Sequence, residues 1–130
     1  MFKNIFFTLV LSLGFGSLVQ ADDSQLSKQF AVCVDKAAGV TASTVDCITA
    51  ETKQQDIRLN QAYKNLLVSL TQSRKQELLD TQRLWIKFRD ANCNFYFVPD
   101  GGSIVRITSA NCFMNMTAER ANELENFLKY

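Results

Sequence analysis

The chain has 130 residues, with 14 lysines and arginines against 13 aspartates and glutamates, and no histidine. A balance this close to neutral argues against nucleic acid or an anionic membrane as the partner, since both reward a basic surface. The missing histidine excludes Ser-His-Asp and Cys-His catalysis in their usual forms, and His-ligated zinc with them.

Residues 1–21 read as a signal peptide. Lys3 supplies the positive start, and an apolar run from Ile5 to Val19 follows, broken by Thr8, Ser12, Gly14, Gly16 and Ser17. Val19-Gln20-Ala21 then offers small or aliphatic residues to the peptidase. A bilayer span needs about 20 apolar residues, so this shorter, glycine-broken run is not expected to be a stable membrane anchor. With no cysteine at the cleavage point, a lipid anchor is not indicated. The expected location is periplasmic or secreted, and 22–130 is expected to be one domain. Loss of Lys3 leaves that domain with equal numbers of basic and acidic residues.

Four cysteines remain, Cys33, Cys47, Cys93 and Cys112. In an exported chain of this size an even count reads as two disulfides. A four-cysteine metal site would use close C-x-x-C pairs, which are absent, so no metal and no cofactor are expected.

A first helix is expected from about Ser24 to Ala38. Leu26, Phe30, Val34 and Ala37 recur at helical spacing, and Gly39 stands where a left-handed cap would. A second, longer helix begins near Ser43 or Thr44 and continues to about Leu70, with Val45, Ile48, Leu59, Tyr63, Leu66, Leu67 and Leu70 separated by threes and fours. Ser73 followed by Gln76 has capping-box spacing and marks a third helix, which carries Leu78, Leu79, Trp85, Ile86, Phe88 and Cys93 and frays near Phe97. A last helix is expected from about Thr117 to Leu128, entered through a cap at Asn115 or Thr117. Glu119, Glu123 and Glu125 would then suit its positive end. The fold class is all-α: a small helical bundle built on a long antiparallel helical hairpin, stapled by two disulfides.

The connection near Thr71 is short, so the second and third helices run antiparallel. Residues at equal distance from the turn then face each other, which pairs Leu66 with Leu78, Leu59 with Trp85 and Asp56 with Arg89. Cys47 and Cys93 fall at the end of the hairpin away from the turn. Sequential pairing, Cys33–Cys47 and Cys93–Cys112, is preferred because it closes the two short segments; the nearness of Cys47 to Cys93 keeps the other pairings open.

Asp56, Leu59, Asn60 and Tyr63, then Leu78, then the run from Gln82 through Trp85, Arg89 and Asp90 to Cys93, resemble the lysozyme-inhibitor LprI-like family of bacterial exported proteins. The resemblance continues through Gly101-Gly102-Ser103, Cys112, Thr117, Arg120 and Leu124, and so covers nearly the whole mature chain. It implies a protein partner, with lysozyme the first candidate, and an inhibitor in place of an enzyme. Characterised members can be lipid-anchored, which this chain's leader does not support. The alternative function is an envelope-interaction module that does not inhibit lysozyme.

Asp56, Leu59, Asn60, Tyr63, Trp85 and Arg89 are expected on the inner seam of the hairpin. There, satisfied polar groups fix helix register, with a ligand site as the other reading. Pro99 to Asn115 is expected to be the one long connection, and its tip has strong turn chemistry. Closed at its base by a disulfide, it is the candidate partner-binding loop, with Gly101, Gly102, Ser103 and Arg106 as its residues. Phe95-Tyr96-Phe97 is read as core packing at a helix end. The sequence contains no acid–base pair on a shared face, and it leaves the oligomeric state undetermined.

Overall fold

The computed structural model describes residues 25–129, so the expected signal peptide lies outside the described residues. Four helices follow one another: α1 Lys28–Ala37, α2 Thr41–Ser69, α3 Gln72–Phe95 and α4 Ile104–Phe127. None of them is long and apolar enough to cross a membrane.

α1 begins where the Ser27 side chain accepts a bond from the Phe30 amide. It ends at Ala38 and Gly39, both at positive φ, so the left-handed reversal takes two residues and only the second is glycine. α2 starts at Thr41, ahead of the expected Ser43 or Thr44, and has no side-chain cap. The Thr44 hydroxyl instead donates to the Val40 carbonyl one turn back. α2 and α3 meet at Leu70 and Thr71, both extended, which turns the chain within two residues. The expected capping box at Ser73 does not form: α3 starts at Gln72, and Gln76 donates to Asp80 further along the helix.

α4 is the largest departure from expectation. It begins at Ile104, about a dozen residues early, and absorbs most of the anticipated long loop. No glycine or proline follows Gly102, so nothing breaks the run once it starts. Tertiary ties then outweigh the β-branched residues Ile104, Val105 and Ile107, which suit a helix less well. Thr117 is consequently mid-helix and donates to the Phe113 carbonyl; neither it nor Asn115 is a cap. Glu123 and Glu125 lie near the helix C-terminus, where Arg120 and Arg58 bind them.

The longer α4 changes the packing. It lies along α2 over the most extensive interface in the molecule, and it is also the helix on which α3 packs. Buried Ala62, Ala118 and Ala121 keep the α2–α4 seam thin, and Leu59, Leu66 and Leu124 fill it. Tyr63, Leu70, Leu78 and Trp85 close over this cluster. Leu59, Leu66, Leu78 and Trp85 therefore meet in one core, but through α4: α2 and α3 hardly touch, so the expected direct pairing of Leu59 with Trp85 and Leu66 with Leu78 across the hairpin does not hold. The Asp56–Arg89 pair is not formed for the same reason. Asp56 is exposed and accepts from Asn60, while Arg89 binds Asp90 and reaches Thr117 on α4.

Cys33 pairs with Cys47 and Cys93 with Cys112. Cys47 is near the start of α2 and Cys93 near the end of α3, so both bonds lie on the hairpin's end away from its turn.

Candidate partner-binding surface

The connection between α3 and α4 is short, from Tyr96 to Ser103. Three features hold it. The Gly101 amide donates to the Val98 carbonyl at 2.9 Å, which closes the turn over Pro99 and Asp100. Gly101 also packs so tightly that an added Cβ would sit 2.2 Å from Cγ1 of Val105. Gly102 takes φ +70, a left-handed geometry that glycine adopts without strain.

Beneath the turn, the Cys93–Cys112 bond clamps the last turn of α3 to α4. The Ser109 hydroxyl adds a bond to the Cys93 carbonyl at 3.0 Å, and Met116 lays its sulfur within 3.6 Å of Cys93 Sγ. Ser103 and Arg106 are exposed above this clamp, at the junction with α4. The four residues expected on a long loop are thus three turn residues and one first-turn helical residue.

The expected seam divides. Leu59 is buried, and Tyr63, Trp85 and Arg89 are half-buried; Asp56 and Asn60 face outward. Trp85 lies between two guanidinium groups, Arg89 at 5.0 Å and Arg120 at 5.8 Å from its ring centre. Arg120 is buried, and its Nε donates to the buried Gln82 at 3.0 Å while Nη1 binds Glu123. Every buried polar side-chain atom among the described residues has a partner. This cluster therefore ties α3 to α4 as a satisfied network and leaves no donor or acceptor aimed at a ligand.

A second network was not visible in the sequence. The Ser27 amide and hydroxyl donate to the buried Glu51 at 2.8 and 2.5 Å. Gln55 donates to Glu51 at 2.7 Å and to the Gln25 carbonyl at 2.8 Å. Arg58 then links Gln55 to Glu125 on α4. Burial alone would raise the Glu51 carboxyl. The bonds from the Ser27 hydroxyl, the Gln55 amide and the Ser27 backbone outweigh it and hold the carboxyl below its ordinary value.

The Phe95-Tyr96-Phe97 cluster is not core. All three are exposed, Phe95 at 82%, and Val98 and Ile104 are exposed beside them. The end of the molecule that carries the clamped turn thus presents a cluster of exposed apolar side chains. Leu84 and Phe88 on α3 are exposed as well. Their signal is in the sequence: they stand about a third of a helical turn from Gln82, Trp85 and Arg89, so a helix that packs on one side does not bury both sets.

A family model described as Lysozyme inhibitor LprI matches residues 33–124. No curated protein and no solved structure matches the chain. The match begins at the first cysteine and ends at the last buried leucine of α4, enclosing both disulfides, the clamped turn and the Trp85 network. The chain belongs to the LprI lysozyme-inhibitor family.

Proposed function

We propose that this is an exported, single-domain inhibitor of lysozyme-type muramidases, which docks through the clamped turn Tyr96–Ser103 and the first turn of α4. Family membership supplies the class of partner. The observation that carries the location is the exposed apolar group Phe97, Val98 and Ile104 around a turn that glycine packing and the Cys93–Cys112 bond hold rigid. A surface ordered in advance loses little conformational freedom on docking. Two disulfides and a leader-like N-terminus suit export to the oxidising compartment where lysozymes act.

The target cleft of such an enzyme is lined by two carboxyl groups that flank the scissile bond. Arg106 offers a cation to one of them, and the Ser103 hydroxyl a further hydrogen bond. Both side chains are exposed at the mouth of the turn. The paired substitution Ser103→Ala and Arg106→Ala should weaken inhibition at least about tenfold with an unchanged melting temperature, as expected for an anchor residue. Unchanged inhibition by the paired variant places the docking surface elsewhere.

A further inference from the structure

We propose that the outward face of α3 is a self-association surface, on which a second copy of this chain lies antiparallel. Leu84, Phe88, Ala91 and Phe95 fall within about 60° of one another on a helix of 3.6 residues per turn, and they face away from the side that packs on α4. Leu84 is 66% exposed, Phe88 61% and Phe95 82%. Together the four side chains offer on the order of 500 Å² of apolar surface, near the upper end of what a monomer ordinarily leaves open. A standard interface takes about 800 Å² from each partner, a little over half of it apolar, and the stripe supplies that share by itself.

The stripe is complementary to its own reverse. Placed antiparallel about a point between Phe88 and Ala91, Phe88 of one copy meets Ala91 of the other, and Leu84 meets Phe95. Large groups then face small or flexible ones, as knobs entering holes require. Asp90 lies about 130° round the helix from the middle of the stripe and is bound by Arg89, so the contact is apolar at its centre. A two-fold contact of this kind closes on itself and does not propagate.

Sedimentation equilibrium of the oxidised domain tests this independently of any inhibition. The wild type should show a monomer–dimer equilibrium in the micromolar range. Phe88→Glu should weaken it at least about tenfold while leaving the circular dichroism spectrum unchanged, since the ring is exposed. A wild type that stays monomeric at about 0.1 mM overturns the proposal, as does a Phe88→Glu variant that dimerises normally. A monomer that instead co-sediments with phospholipid vesicles would overturn it in favour of a membrane-facing stripe.

Discussion

Arg58 on α2 grips Glu125 on α4 at two points, Nε to Oε1 at 2.7 Å and Nη2 to Oε2 at 2.5 Å. The pair joins the helix interface that dominates the fold to the Glu51 network that anchors α1. Because both side chains are about a third exposed, the pair should contribute at the upper end of surface values, about 1 kcal/mol. A double-mutant cycle of Arg58→Ala and Glu125→Ala by chemical denaturation should return a coupling of that size. A coupling near zero would show that the shared α2–α4 packing holds the interface without it.

Glu51 makes stability depend on pH. Its folded carboxyl sits below the ordinary value. Its contribution is therefore fully present above the unfolded value of about 4.3 and is lost as pH falls through the folded value. Glu51→Gln keeps the shape but loses the charged acceptor. Thermal melts should show the variant less stable at pH 7, with the gap narrowing below about pH 4.3. An equal gap at both pH values would mean that the carboxylate charge is immaterial.

The two disulfides should be alike in stability and unlike in function. Each closes a short segment, 14 and 19 residues in sequence separation, so removing either as a Cys→Ser pair should cost about 3 kcal/mol. Only loss of Cys93–Cys112 releases the clamp under the turn. At a temperature where both variants stay folded, the Cys93→Ser, Cys112→Ser protein should lose inhibition and the Cys33→Ser, Cys47→Ser protein should keep it.

Gly101→Ala should be costly for one residue. The new methyl would overlap Val105 and press on the Val98 carbonyl, 3.1 Å away, so the turn or the start of α4 must move. Overpacking of this kind costs about 1–3 kcal/mol. Hydrogen exchange should show faster opening of residues 96–106 with the α2–α4 core unchanged. Wild-type protection there would mean that the turn yields without strain.

Much of the fold was legible from periodicity and breakers. The spacing of Leu59, Tyr63 and Leu66, the breaker pair at Gly101-Gly102, and an even cysteine count lead to helices, hairpin and staples. Residue-level pairing across the hairpin was not legible, because the length of α4 was hidden. Ile104, Val105 and Ile107 look extended in isolation, and only the disulfide and Ser109 reveal that this stretch is pinned to α3. Once α4 is known to run from Ile104, Arg89 is seen to bind toward Thr117, leaving Asp56 at the surface. The site was legible in part. Gly101 and Gly102 mark the turn, whereas the apolar surface around it reads as core, because a run such as Phe95-Tyr96-Phe97 does not state which side of a helix end it occupies.

Clearance of a bacterial suspension by lysozyme in the presence of the oxidised protein tests the proposed inhibition most directly. Lysis should slow in proportion to added protein and stop near stoichiometric amounts for at least one lysozyme class. Lysis at full rate with excess protein, across every class tried, would contradict the account and leave a helical envelope-binding domain in its place.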